Sequence, residues 1–355
     1  MNENTIGTTA TLVDAIRALE ISAKRLAVVI SENNNEVLGT LTDGDIRRCI
    51  LSGFTLQMSV VDAMNSNPVT ANVNVSDGEL RELMRKHNIR SLPLVDGKNH
   101  YVRTLHETDL LAAGDDFVNE RTFAAAVIMA GGEGTRLRPL TENLPKPMVE
   151  INGIPLLERQ IRGLSKMGIG LIYISVNYLS DIIKDYFGDG NEFGVEVHYL
   201  HEDKKLGTAG ALSLLPEMET TKPLLVMNGD ILTTSDFIHL YHFHNEHRST
   251  VTVSAINYHV EIPYGVIQCD GPRVIRLQEK PSQSFFCNAG IYAISVDILK
   301  KIPADAFWNM TDLIEQCLAE GESVSVFPVH EYWTDIGTPA DLERARNDSV
   351  QWRAK

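Results

Sequence analysis

A chain of 355 residues with 43% hydrophobic and 22% charged residues has the composition of an ordinary soluble protein, with enough length for two domains and substantial cores. Its formal net charge of −15 argues against a nucleic-acid or anionic-membrane binder, so an anionic ligand has to be held by a local basic pocket. Four cysteines, Cys49, Cys269, Cys287 and Cys317, have no C-x-x-C spacing and indicate neither a zinc knuckle nor a redox pair. They fit reduced thiols in a cytoplasmic protein, and the sequence has no signal-like N-terminus or membrane-length apolar stretch.

The first 120 residues carry a repeat. Residues 12–19 (LVDAIRAL) have helical apolar spacing, 26–30 (LAVVI) and 37–41 (VLGTL) read as strands, and 42–48 (TDGDIRR) as a helix start. The same order recurs after Pro68, as a helix over 80–84, a strand over 92–95, and a closing strand and helix start over 101–110. Ile16 aligns with Leu80, Thr42 with His106 and Asp45 with Asp109, all at one offset of 64 residues, which marks an internal duplication.

This pair resembles tandem CBS domains, β-α-β-β-α modules that often bind adenine nucleotides. In that family a Thr/Ser-x-x-Asp at the start of the last helix holds phosphate and ribose, and Thr42 and Asp45 match it, with Arg47 and Arg48 close by. A threonine there caps the helix and leaves its positive end available to phosphate. The second copy departs, with Arg103 for the usual glycine and His106 for the hydroxyl residue. A capped helix with a purely structural or dimerising role is the other reading. The repeats cover about 1–62 and 63–118, the polar segment 114–120 reads as a linker, and a second domain spans 119–355.

That domain opens on an uninterrupted apolar run, residues 124–130, which reads as a fully buried strand. It ends in Gly131-Gly132-Glu133-Gly134-Thr135-Arg136, where three glycines in four positions let the backbone turn sharply and present N–H groups to an anion. Arg136 and Arg138 follow, and Lys146 is held between Pro145 and Pro147. Buried strand, glycine loop and held cations describe a triphosphate site, although the run has neither the Walker A ending nor the G-x-G-x-x-G spacing. Beyond it, helices over 154–167 and 180–187 alternate with strands over 169–176 and 195–200. Such alternation predicts an α/β fold with a mainly parallel, Rossmann-like sheet and ligands at the strands' carboxyl ends.

The stretch from Gly131 to Pro147 closely resembles the signature of sugar-1-phosphate nucleotidylyltransferases, G-G-x-G-T-R-L-x-P-L-T followed by P-K-P. The resemblance continues through Gly337. It implies that Ala130, Gly131, Gly132, Gly134 and Thr135 bind the nucleotide, and that Gly207, Thr208 and Ala209, in LGTAGAL, line the base pocket. Asp230, ending a buried strand in Asn-Gly-Asp, and Asp335, in WTDIGTP, take the positions of the magnesium ligands, a pairing of hard oxygen donors suited to Mg²⁺ and phosphate. On the acceptor side, where Tyr264 and Gly265 precede a strand, the resemblance implies that Lys280 meets the sugar phosphate and that Glu279 and Asn288 bind sugar hydroxyls. His239, His242, His244 and His247 crowd one segment, but 237–247 reads as a surface helix with Ile238, Leu240 and Tyr241 on its apolar face, and no zinc site is expected.

The resemblance implies an enzyme joining a sugar 1-phosphate and a nucleoside triphosphate into an NDP-sugar and pyrophosphate. Arg136 then holds the departing pyrophosphate and Lys146 the α-phosphate, with alignment and charge neutralisation as the source of rate. The C-terminus stops soon after Asp335, without the hexapeptide repeats of bifunctional relatives. Proteins joining a CBS pair to such a transferase occur in bacterial surface-glycan pathways, which favours GTP with glucosamine 1-phosphate or mannose 1-phosphate. UTP or dTTP with glucose 1-phosphate is the alternative, and a catalytically silent nucleotide sensor is the alternative of another class. Regulation by adenine nucleotide at the CBS pair and a homo-oligomeric state complete the expectation.

Overall fold

The computed structural model describes residues 4–22, 24–87, 89–110 and 122–353. The chain divides into two compact units, Met1–Val118 and Asn119–Lys355, and the expected linker over 114–120 lies outside the described residues.

In the N-terminal unit the duplication is visible in the strand pairing. β1 (Thr5–Gly7) runs parallel to β2 (Ala27–Ile30), which is antiparallel to β3 (Val37–Leu41); β4 (Ala71–Asn72), β5 (Ser91–Val95) and β6 (Tyr101–His106) repeat that arrangement. Helices α1 (Leu12–Ile21) and α2 (Asp43–Leu51) each begin with a capping box, built by Thr11 with Asp14 and by Thr42 with Asp45. Leu12 and Ala15 of α1 pack with Ile46 and Ile50 of α2 in one core, and α3 (Asp77–His87) buries Leu80 and Met84 in the other. The second copy closes differently: His106 stands where Thr42 caps α2, and the chain continues as the 3₁₀ turn Glu107–Leu110. The halves are tied by Val37 N–H to Asn99 O (3.0 Å) and Tyr101 N–H to Asn35 O (2.9 Å).

The second unit is built on a seven-stranded sheet. Its parallel part is built around β7 (Ala126–Met129), flanked by β8 (Leu171–Val176) and β10 (Leu224–Asn228), with β9 (Glu196–His201) parallel outside β8. Beyond β10 the order continues as β15 (Ser282–Ile294), β12 (Val251–Glu261) and β16 (Val324–Val329), with the pairings of β15 antiparallel. Strand β7 is Ala-Val-Ile-Met because a strand paired on both edges and covered on both faces has no solvent side to satisfy. Helices α4 (Leu156–Lys166) and α5 (Ser180–Phe187) bury Leu157, Ile161, Leu164, Ile183 and Phe187 on one face, the short α6 (Gly207–Gly210) follows β9, and α8 (Met310–Ala319) covers the other face with Met310, Leu313 and Cys317. Helix α4 starts two residues later than its pattern suggested, because Pro155 stands at its N-cap and Ile154–Pro155 pairs with Glu150–Ile151.

Helix α7 (Phe237–Glu246) differs from its expected orientation. Phe237, Leu240 and His244 are its buried residues, so a histidine takes a core position and Ile238 lies at the margin. His244 is satisfied there by Thr252 Oγ1 at 2.9 Å, and burial pushes its pKa down to about 4. His247 stacks on Phe243 instead, with ring centroids 4.0 Å apart. No helix among the described residues is long and apolar enough to cross a membrane.

Candidate active site

The site is assembled at the carboxyl ends of the adjacent parallel strands β7 and β10. After β7 the chain passes through Ala130 to Gly134, which adopts φ +62°. A Cβ on Gly134 would lie 2.9 Å from Lys146 Cβ and 3.1 Å from Thr141 Cγ2, so glycine is required both by conformation and by the lysine packed against it. Thr141 Oγ1 donates to Gly134 O at 2.7 Å and pins the loop. Gly132 is different: a Cβ there would meet no protein atom within 4 Å, so protein crowding does not explain its smallness. It faces the cleft, where a ligand can approach its backbone.

Strand β10 delivers Asn228-Gly229-Asp230 beside this loop. Gly229 N–H donates to Met129 O at 2.9 Å, and a Cβ on Gly229 would sit 2.8 Å from that oxygen, so only glycine lets the two strand ends approach so closely. The next strand, β11 (Ile231–Thr233), pairs antiparallel with β17 (Trp333–Asp335), and the register Ile231↔Asp335 sets the second aspartate next to the first. Ile336 N–H to Asp230 O (2.9 Å) locks the junction.

Lys146, on the 3₁₀ turn Lys146–Met148, is buried at 9% exposure and reaches both carboxylates. Its Nζ lies 2.5 Å from Asp230 Oδ2 and 3.7 Å from Asp335 Oδ1. Burial and then the negative charge of Asp230 hold the Asp335 carboxyl above its usual range, with Lys146 and Arg136 pulling the other way. Asp335 Oδ1 is buried and has no hydrogen-bond partner. Arg136 is exposed at the rim, its Nη1 3.5 Å from where a Cβ of Gly337 would stand, and Thr135 beside it is also exposed. Two adjacent carboxylates, one with an unsatisfied oxygen, form a hard-donor set that fits a divalent cation such as Mg²⁺.

Between these groups lies a cleft of about 350 Å³. Ala130 to Glu133 form one wall, Asn228 to Asp230 with Lys146 the floor, and Gly207, Thr208, Phe307 and Asn309 the far wall. Gly207, at φ +77°, packs against Trp308 O, and Thr208 Oγ1 accepts from Met310 N–H at 2.9 Å, so the expected base-pocket segment is clamped to the start of α8. Ala209 is buried behind it, with its N–H bonded to Trp308 O.

Glu202 is the residue that sequence reasoning missed. It sits in the charged run Glu202-Asp203-Lys204-Lys205, which reads as a solvated loop, yet it is 8% exposed and lines the cleft. Its carboxylate accepts from the Ser175 hydroxyl and from Leu206 N–H at 2.9 Å, and lies 3.0 Å from where a Cβ of Gly131 would be. Phe307, Asn309 and Lys205, paired to Glu133 at 2.6 Å, also line the cleft without a signal in their spacing.

The acceptor residues form a separate group. Tyr264, Gly265, Glu279, Lys280 and Asn288 are exposed and none lines the cleft. Gly265 faces Glu279 Oε2, which lies 3.1 Å from where a Cβ of the glycine would stand, and Lys280 adopts φ +44°, unusual for a residue with a side chain. Asn288 Nδ2 donates to the Tyr292 hydroxyl at 2.8 Å. In the other unit Thr42 and Asp45 are occupied with each other: Thr42 N–H donates to Asp45 Oδ2 at 2.7 Å. Arg48 pairs with the same aspartate, whereas Arg47 turns inward, 1% exposed, to Asp43 at 2.6 Å.

Residues 125–351 match the family model described as nucleotidyl transferase. Residues 2–52 and 60–116 each match that of the CBS domain. The mannose-1-phosphate guanylyltransferase of Mycobacterium tuberculosis is 30% identical over 233 residues, which are 64% of this chain and 64% of that protein, so the chain spans less than two thirds of that relative. Among solved structures, HddC from Yersinia pseudotuberculosis complexed with GMP-PN superposes with a TM-score of 0.50 at 27% identity, over 63% of this chain and 99% of that one. A candidate glucose-1-phosphate thymidylyltransferase from Bacillus anthracis, in complex with a sucrose, gives 0.52 at 25% identity over 63% and 94%.

Proposed function

This chain belongs to the nucleotidyl transferase family, and we propose that it transfers the nucleoside monophosphate of GTP to a sugar 1-phosphate, mannose 1-phosphate ahead of glucosamine 1-phosphate, releasing pyrophosphate. The observation that carries this reading is the convergence of Lys146, Asp230 and Asp335 beneath a glycine loop, at a cleft of nucleotide size.

An oxygen of the sugar phosphate attacks the α-phosphorus. The new P–O bond forms as the bond to the bridging β-phosphate oxygen breaks, and pyrophosphate leaves with that electron pair. The nucleophile is already anionic, so no general base is required, and alignment with charge neutralisation supplies the rate. Lys146 binds the α-phosphate, Arg136 at the rim holds the departing pyrophosphate, and the N–H groups of the 131–134 loop orient the triphosphate. Asp230 and Asp335 would hold Mg²⁺, which when bound supplies further neutralisation of phosphate charge. Tyr264, Gly265, Glu279, Lys280 and Asn288 take the sugar 1-phosphate.

Glu202 supports guanine over the pyrimidines. A carboxylate offers about four acceptor sites, and Ser175 and Leu206 use one on each oxygen. Guanine presents two adjacent donors, N1–H and the 2-amino group, whereas uracil and thymine present one N–H flanked by acceptors. The name of the mycobacterial relative agrees with this base and favours mannose 1-phosphate. UTP or dTTP with glucose 1-phosphate is the second reading, favoured only by the name of the B. anthracis protein. For the CBS pair we propose an adenine nucleotide at Thr42 and Asp45 that modulates the transferase of a cytoplasmic homo-oligomer.

Pyrophosphate release with Mg²⁺, over a grid of four triphosphates and several sugar 1-phosphates, tests the reading. GTP with mannose 1-phosphate is the expected productive pair, and added AMP or ATP is expected to change its rate. Glu202→Gln, which keeps an acceptor for Leu206, is expected to lower the preference for GTP over UTP at least about tenfold. Silence across the grid from folded protein that still binds GTP would overturn the transferase reading in favour of a nucleotide sensor.

A further inference from the structure

Strands β12 and β15 project beyond the main sheet as an arm. They stay paired from Ile256↔Cys287 out to Glu261↔Ser282. Their neighbours stop earlier, β16 at Ile256 and β10 at Ile291 of β15. Over the outer length the ladder therefore has two open edges among the described residues, each a row of backbone donors and acceptors able to template another strand. The arm leads into a hairpin of β13 (Val266–Asp270) and β14 (Arg273–Gln278), which forms a two-stranded sheet by itself.

A lone hairpin is marginal in water unless a face is covered. This one alternates as a covered sheet does: Ile267 pairs with Leu277 and Cys269 with Val274 on one face, Gln268 with Arg276 on the other. Yet Ile267, Val274, Ile275 and Leu277 are 57%, 58%, 61% and 65% exposed. Nine large apolar side chains between Tyr258 and Phe286 are exposed by 40% or more. Phe285 and Phe286 are consecutive on β15 and face opposite sides of the ladder, so the apolar patch is that of the hairpin itself: Ile267, Val274, Ile275 and Leu277, at about 100 Å² each, present roughly 400 Å², the size of the largest patch on a monomer and one that is often functional.

Charge identifies the occupant. Residues 257–287 contain Glu261, Asp270 and Glu279 against Arg273, Arg276 and Lys280, a net charge of zero with histidine neutral, on a chain whose total is −15. A second copy would be repelled over most of the surface but not here. The same arm carries Tyr264, Glu279 and Lys280, all exposed. Sugar recognition depends on polar groups withdrawn from bulk water, and a solitary arm leaves these in it.

We propose that the arms of two copies of this chain pair about a two-fold axis, burying the apolar hairpin face, and that the acceptor half of the active site is complete only in that pair. The second clause rests on the transferase reading, and the first does not.

The test is sedimentation of the full-length protein over a range of concentrations. Ile267→Glu with Leu277→Glu sets two carboxylates opposite each other on the hairpin face and is expected to halve the assembly mass. Gln268→Glu, on the opposite face, is expected to keep it. All these positions are exposed within a single chain, so the circular dichroism of both variants should match the wild type's, while the melting temperature of the double variant alone should lose its dependence on protein concentration. With the mass, the KM for the sugar 1-phosphate should rise about tenfold, the worth of one or two hydrogen bonds left in solvent, while GTP affinity stays. A monomeric wild type, an unchanged mass in the double variant, or a halved mass with unmoved KM would each overturn the proposal. If the wild type transfers no nucleotide with any substrate, the functional reading fails, and the mass comparison still decides the pairing.

Discussion

Replacing Asp335 by asparagine should make the metal-free protein more stable and the enzyme nearly inactive. The Asp335 carboxyl has its pKa raised by burial and by Asp230, so the folded protein binds that proton more tightly than the unfolded chain does. Ionised Asp335 therefore subtracts from stability as pH rises through the ordinary carboxylate range, and subtracts in full above the raised value. Asparagine removes the charge, and its amide can donate to Asp230. That exchanges a repulsion for one hydrogen bond to a charged acceptor, a gain of about 1–2 kcal/mol, or about 3–6 °C for a unit of this size. Calorimetry in EDTA at pH 8 should find the variant melting higher, with the difference closing towards pH 4 as the wild-type carboxyl protonates. Mg²⁺ should raise the wild-type melting temperature and move the variant's much less, since a ligand stabilises only the state that binds it. Turnover should fall about 10²–10³-fold with the loss of a preorganised charge. A variant that melts below the wild type in EDTA at every pH, or keeps turnover within about tenfold, would refute the assignment of Asp335 as a strained metal-site carboxylate.

Two glycines separate the needs of the ligand from those of the fold. Gly132→Ala should leave the melting temperature unchanged, because its methyl meets no protein atom within 4 Å, but should weaken GTP binding about tenfold or more, as a titration would read. Gly229→Ala drives its methyl to 2.8 Å from Met129 O and should cost about 1–3 kcal/mol together with kcat, so equal melts for the two variants would contradict the packing described. His244 predicts acid lability. Its folded pKa of about 4 lies below the unfolded value near 6.5, so stability on the order of 3 kcal/mol is present above pH 6.5 and lost as pH falls towards 4. His244→Gln should flatten that part of the curve in denaturant titrations, and an unaltered slope would mean another group is responsible.

The parts of the site legible in the sequence are those whose geometry is encoded locally. The apolar run into Gly131 states that a buried strand ends in a loop, and the prolines flanking Lys146 state that its backbone is held. The encounter of Asp230 with Asp335 is not local. It depends on the antiparallel register Ile231↔Asp335 between segments far apart in the chain, and only the family resemblance anticipated it. Burial of polar residues is hidden in the same way. Glu202 reads as one charge in a solvated run, and becomes a cleft-lining acceptor only because Ser175, on the neighbouring strand, and Leu206 supply its partners. His244 reads as one of four surface histidines until Thr252 satisfies it. In each case the residue type signals polarity, and a distant partner decides whether that polarity faces water, the core or a ligand. The acceptor motif shows the converse: its spacing is plain in the sequence, while the exposure of Tyr264, Glu279 and Lys280 is visible only in the structure, where the β13–β14 hairpin pairs with no other strand among the described residues.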